Sequence, residues 1–219
     1  MSKCVNNASA MNPYQSRNYK SVIWGIKKVL FCIASYIVFD ENRGHFAKKH
    51  INCAILITFE YNKNVFLAAN VHLPWDSIIK KEKFILEIVE EMDKIECDYS
   101  VLTGDFNCSG NSSVHNFLLG EMSLPGREAK PVFEDMALVY SQISNTIAEN
   151  TLDLVHNPRW KGKNTAGQSE RYDKIYLRDS FPKPSPALDN FCLFGKDIDE
   201  QSGYSASDHY GVLAEIIFD

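Results

Sequence analysis

The chain has 219 residues, 45% of them hydrophobic and 12% aromatic, which supports one sizeable core and a single domain. Its formal net charge of −5 excludes an overall basic field of the kind that draws proteins non-specifically onto nucleic acid, so any phosphate contact must be local. The six cysteines, Cys4, Cys32, Cys53, Cys97, Cys108 and Cys192, form no CxxC pair, which argues against a zinc site or disulfide framework and for a reducing, intracellular setting.

The most apolar stretch, VIWGIKKVLFCIASYIVFD (residues 22–40), is interrupted by Lys27 and Lys28. Its unbroken part, Val29 to Phe39, is too short to span a bilayer and lacks the charge order and cleavage site of a signal peptide. A core strand or strand pair is expected there, and no membrane span. Residues 51–73, INCAILITFEYNKNVFLAANVHL, read as two strands around a turn at Asn62 to Asn64. In DSIIKKEKFILEIVEEMDKI the residues Ile78, Ile79, Phe84, Ile85, Ile88, Val89 and Met92 recur at helical spacing, and Asp76 stands where a cap belongs. A strand follows in YSVLTG, then a polar turn and a shorter helix near SSVHNFLLGEM. The pattern between Pro125 and Asn150 is mixed, and strands return at YDKIYLRD and YGVLAEIIF. Strands alternating with helices over one core predict an α/β protein, a two-sheet α/β sandwich, as one domain over residues 1–219.

Several polar residues adjoin apolar runs: His72 in LAANVHL, Asp105 and Asn107 in SVLTGDFN, Asp173 in ERYDKIYL, and Asp208 and His209 in SASDHYGVLAEI. Carboxylates at the ends of different strands can converge on one spot, where two or three oxygen ligands suit magnesium or manganese. A histidine beside them can donate to phosphate or exchange a proton. Taken singly, His72 reads equally well as a histidine satisfied by a carbonyl, and Asp173 as the partner of Arg171 or Lys174. The order and strand context of the set point to phosphodiester cleavage.

The motifs NVHLPW, LTGDFN, RYDKIYL and SASDHYGVLAE, in this order from about Val65 to the C-terminus, resemble those of the endonuclease/exonuclease/phosphatase superfamily. That resemblance implies a deoxyribonuclease-like sandwich and a Mg²⁺- or Mn²⁺-dependent hydrolase. Within the match, TLDLVHN is similar to the Thr-x-Asp-x-x-x-Asn segment of 5′-tyrosyl-DNA phosphodiesterases and places Thr151, Asp153 and Asn157 in register. The resemblance implies that Asp105 orients or deprotonates the attacking water and that Asn107 holds that water or the scissile phosphate. His72 and His209 would contact non-bridging phosphate oxygens, Asp173 would orient His209, and Asp208 would join the metal.

The family's first strands, with their asparagine and metal-binding glutamate, are not recognisable, and no Gln-Glu dipeptide occurs. The domain therefore reads as N-terminally incomplete, with weak magnesium binding expected and Glu41 and Glu60 as the substitutes on offer. Trp75 and Trp160 read either as platforms for a base or aromatic adduct or as core or rim aromatics. Arg159, Lys161, Lys163 and Arg171 in NPRWKGKNTAGQSER form the one local basic loop nominated, either a contact for a nucleic-acid backbone or a plain solvated loop. The expected partner is nucleic acid or another phosphodiester substrate. The other readings are a catalytically impaired phosphate-binding or scaffold homologue and a deadenylase-like RNA exonuclease.

Overall fold

The computed structural model describes residues 33–39, 52–130, 132–163 and 167–218. Residues 22–32 of the apolar stretch and Glu41 lie outside them. The elements run β1 Ile33–Phe39, β2 Asn52–Tyr61, β3 Asn64–His72, α1 Ile78–Asp93, β4 Tyr99–Asp105, α2 Ser113–Leu118, β5 Phe133–Asp135, α3 Met136–Ser144, β6 Asp173–Arg178, β7 Ala187–Phe194 and β8 Gly211–Ile217. The main sheet has the order β1-β2-β3-β4-β6-β5, and β7 and β8 form a second, two-stranded sheet. The α/β sandwich expected from the sequence is therefore present.

The turn between β2 and β3 sits on Asn62 and Lys63, both at positive φ (49° and 66°), the geometry a tight right-twisting hairpin requires. Strands β3 and β4 are parallel, with His72 opposite Asp105. Parallel neighbours need a crossover, and α1 supplies it. Ser77, rather than the expected Asp76, caps α1 by accepting from the Lys80 N–H at 3.3 Å. Phe84, Ile85, Ile88, Val89 and Met92 of α1 are buried, each such burial contributing about 1.5–3 kcal/mol. Ile78 and Ile79, which the spacing also assigned to the apolar face, are exposed.

Strand alternation sorts the main sheet into two faces. Leu67, Ala69, Val71, Leu102 and Tyr176 join the α1 and α2 side chains in one core cluster. On the opposite face Phe66 and Tyr99 meet Phe218, just beyond β8, with ring centroids 4.9 and 4.8 Å apart. The second sheet thus covers the face to which His72, Asp105 and Asp173 belong by register. Three elements are not assigned by the sequence pattern. Strand β5 and helix α3 occupy the mixed segment, and β7 lies in ALDNFCLF, where Asp189 and Asn190 at a register shift obscure the apolar run. Among the described residues no helix is long and apolar enough to cross a membrane.

The core also holds polar groups. The Arg171 guanidinium donates to both Asp135 oxygens at 2.9 and 2.7 Å, and His115 Nδ1 lies 2.7 Å from the Tyr176 hydroxyl. Burial lowers the His115 pKa to about 4, with Lys174 and Arg171 adding to the effect and Asp135 opposing it. The unfolded chain takes up this proton near pH 6.5 and the folded chain only near pH 4, so the stability present above pH 6.5 is lost as pH falls through that window. Urea unfolding should show a loss of at most about 3 kcal/mol from this group between pH 7 and 4. His115→Gln should flatten that part of the profile.

Candidate active site

Strands β3 and β4 run the same way, so their C-terminal residues His72 and Asp105 arrive side by side; β6, antiparallel to β4, begins at that edge with Asp173 opposite Asp105. Three of the candidate side chains thus stand in adjacent register positions on one face. From the second sheet, the residue two before β8 completes the group: His209 Nδ1 is 2.8 Å from Asp173 Oδ2. Asp105, Asp173 and His209 bring ligand atoms within 4.8 Å of one another. His72 Nε2 lies 3.6 Å from Asp105 Oδ2.

Desolvation and the neighbouring Asp173 charge raise the Asp105 pKa, against the Asn107 N–H, His209 and His72, which lower it. A carboxylate raised in this way is a stronger base. Burial pulls the His209 pKa down, but the hydrogen bond and charge of Asp173, with Asp105 and Asp208 behind them, outweigh it and raise the value. The imidazolium is thus favoured beside two carboxylates.

The loop after β4 is fixed from below. Gly104 has φ of +134°, and a Cβ there would come within 1.9 Å of the Val71 carbonyl oxygen, so only glycine allows the strand to approach β3 this closely. Asn107 adopts a left-handed φ of 48°; its N–H donates to Asp105 Oδ1 at 2.8 Å and its side-chain amide to the Leu73 carbonyl at 2.9 Å. Two lysines hold the loop's carbonyls, Lys81 from α1 donating to Asn107 O and Lys174 to Cys108 O at 2.5 Å. Lys174 is 0% exposed and also faces the Phe106 ring. Its place was readable in the sequence, since in RYDKIYL it alternates with Asp173 and falls on the core face with Tyr176.

The His209 loop is held by a 3-10 turn at Pro158–Trp160. Four successive carbonyls receive side-chain donors from Asn157 to Trp160. Arg159 Nε and Nη2 reach Ser205 O and Ala206 O at 2.7 and 3.3 Å, Asn157 Nδ2 reaches Ser207 O at 3.0 Å, and Trp160 Nε1 reaches Asp208 O at 3.1 Å. Thr151, fully buried, accepts from the Tyr172 and Asp173 N–H groups at 3.0 Å each, and its carbonyl accepts from Tyr210 N–H. It thereby ties the start of β6 to the residue after His209. Asp153 caps its own turn through the Val155 and His156 N–H groups.

Several expectations change accordingly. Arg171 is not on the substrate side, and it is not the partner of Asp173: it lies in the interior against Asp135. Thr151 and Asn157 make backbone contacts that position the site, whereas Asp153 holds only its own turn with His156. The Trp160 indole N–H is spent on the Asp208 carbonyl. Asp208, expected at the metal, is exposed with its carboxylate on the Ser207 hydroxyl, outside the converging group among the described residues. Glu60 cannot substitute for the family glutamate: it pairs with Val65, seven residues from His72, roughly 20 Å along the strand. Trp75 is 79% exposed three residues beyond His72.

No family model matches the chain. A 78-residue segment, 32% of this chain and 16% of the relative, is 38% identical to a Vairimorpha ceranae protein described as a probable CCR4-Not complex 3′-5′-exoribonuclease subunit Ccr4. Among solved structures, TDP2 from D. rerio in complex with single strand DNA product matches with a TM-score of 0.63 at 16% identity over 84% of this chain. The chain spans 66% of that structure's length. Truncated Caenorhabditis elegans TDP2 gives 0.57 at 16% identity over 84% of this chain and 66% of that one. An endonuclease/exonuclease/phosphatase from Bacteroides vulgatus gives 0.58 at 16% identity over 88% and 66%. The fold is that of the endonuclease/exonuclease/phosphatase proteins, TDP2 among them, as the motif order leads one to expect.

If Asp173 raises the His209 pKa by direct contact, Asp173→Asn should lower the His209 titration midpoint in an NMR experiment. An unchanged midpoint would show that the 2.8 Å pair does not control the imidazole.

Proposed function

We infer that this chain, which carries the endonuclease/exonuclease/phosphatase fold, is a divalent-metal-dependent phosphodiester hydrolase acting on nucleic acid or a nucleic-acid 5′ adduct. The observation that carries the reading is the convergence of Asp105, Asp173 and His209 at neighbouring strand ends, with His72 beside Asp105. Cleaving a stable phosphodiester needs a positioned water, donors for the growing charge on the phosphate, and stabilisation of the leaving oxygen.

Each residue has a part in that scheme. The Asp105 carboxylate, raised in basicity by burial and by Asp173, orients the attacking water and takes its proton. Asn107 keeps the loop against Leu73 and offers its carboxamide oxygen to that water. His209, held charged by Asp173 through Nδ1, presents Nε2 to a non-bridging oxygen, and His72 contributes a second imidazole from the other flank of Asp105. The donor set of two carboxylates at one strand edge fits a hard cation such as Mg²⁺ or Mn²⁺, which commonly takes only one or two protein carboxylates. Asp173 would hold it through the oxygen not bonded to His209, with Asp105 kept as the base for the attacking water. When bound, the cation supplies charge neutralisation on the phosphate oxygens.

The substrate class is read from the relatives. A TDP2 structure with a single strand DNA product supports DNA, and the resemblance of TLDLVHN to 5′-tyrosyl-DNA phosphodiesterases supports a 5′ adduct of it. The segment shared with a probable exoribonuclease supports RNA as the second reading. Comparing a 5′-phosphotyrosyl oligonucleotide with a poly(A) strand at equal concentration and with magnesium separates the two.

Asp105→Asn keeps the side-chain shape and its acceptance of the Asn107 N–H while removing the base. Hydrolysis of the preferred substrate should fall at least about 100-fold with the unfolding free energy from urea within about 1 kcal/mol of wild type. Retained turnover would remove Asp105 from the chemistry, and a parallel collapse of stability would make it structural.

A further inference from the structure

Beside the cluster a hollow of about 240 Å³ opens between the loop after β7 and the loop before β8. Asp173 and His209 form one wall, and Ser207, Phe194, Gly195 and Gly211 are among the others. The hollow therefore shares two side chains with the site proposed to handle the phosphate. Whatever fills it lies next to that phosphate.

Its floor is an aromatic ring laid over bare backbone. Phe194 and Gly211 are cross-strand partners, and a Cβ at position 211 would meet the Phe194 ring atoms Cζ, Cε1 and Cε2 at 2.2, 2.5 and 2.7 Å. The missing side chain is what lets the ring fold inward across β8. Yet Phe194 stays 53% exposed, so the ring still offers apolar surface to an occupant. Gly195, at φ of +78°, turns the chain away directly after the ring and leaves that side open. The rim is polar, with the Ser207 hydroxyl donating to Asp208 Oδ1 at 3.2 Å and accepting from the His209 N–H.

Size and chemistry narrow the occupant. Sites for drug-sized molecules run from about 300 to 1,000 Å³, so this hollow suits a single ring system better than a long acyl chain. A flat ring with polar edges matches a flat apolar floor and a polar rim, and stacking of bases on aromatic side chains tolerates any sequence. We propose that the hollow floored by Phe194 receives the base of a nucleotide adjoining the scissile phosphate, stacked on the Phe194 ring. This rests on the reading of the site as a phosphodiester hydrolase of nucleic acid. It assigns Phe194 as a substrate-contacting residue and Gly211 as the position that makes room for it.

The test uses the full chain and single-stranded oligonucleotides carrying 2-aminopurine at each position in turn, whose fluorescence is quenched on stacking. At one position next to the cleaved bond, quenching on binding should be strong with wild type, kept by Phe194→Tyr, and lost with Phe194→Ala and Phe194→Leu. The last variant keeps apolar cover without a ring, and unfolding midpoints are measured for all of them. KM should rise roughly 10-fold in the Ala and Leu variants with kcat within 2-fold, and an abasic unit at that position should remove the difference from wild type. Cleavage by wild type with no loss of quenching and no change of KM in folded Phe194→Ala overturns the subsite and leaves the hydrolase reading standing. Position-specific, Phe194-dependent quenching without any cleavage supports the subsite and counts against hydrolysis. Absence of both binding and cleavage overturns both.

Discussion

Two carboxylates directly opposite each other in a β-ladder repel, and a structure that places Asp105 against Asp173 must hold them there by other means. Much of the molecule serves that constraint. His209 arrives from the second sheet to lie on Asp173, and His72 flanks Asp105 from the parallel neighbour. The result is a row along one sheet edge, His72, Asp105, Asp173 and His209, in which one imidazole flanks the carboxylate pair at each end. Burial, with the Asp173 charge second, raises the basicity of Asp105, and the neighbouring Asp173 carboxylate is the donor the proposed cation would take.

The backbone is shaped to bear this arrangement. The β3-α1-β4 crossover makes two strand ends coincide, Gly104 lets them approach, and Asn107 turns the chain back under the site. Lys81 and Lys174 then tie two consecutive carbonyls of that turn. On the other side the 157–160 turn caps the four carbonyls from Ser205 to Asp208. Both loops at the candidate site are therefore held through their main-chain carbonyls.

What could be read in the sequence follows from where information is local. A strand that ends in Gly-Asp-Phe-Asn stands out because an apolar run seldom closes on a carboxylate. Asn62 and Lys63 lie in the expected hairpin turn, and the α1 stripe from Phe84 to Met92 is plain in its spacing. The roles of Trp160 and Arg171 were not legible, because an indole on a carbonyl and an arginine on a buried Asp135 depend on residues 48 and 36 positions away. Strand β7 was hidden for a different reason: it lies in a sheet of only two strands, has no fully buried residue and shows an irregular exposure pattern, so alternation gives little signal. Lys174 was visible as a lysine on a core-facing register, but only the fold shows what its ammonium holds.

The central claim is that the Asp105, Asp173 and His209 edge directs water onto phosphorus. Hydrolysis of an oligonucleotide phosphodiester by the 219-residue chain, run with magnesium in ¹⁸O-labelled water and read by mass spectrometry, tests it directly. A single turnover should place one ¹⁸O atom in the phosphate product and none in the released alcohol. Label in the alcohol, or no cleavage at all, would contradict the account.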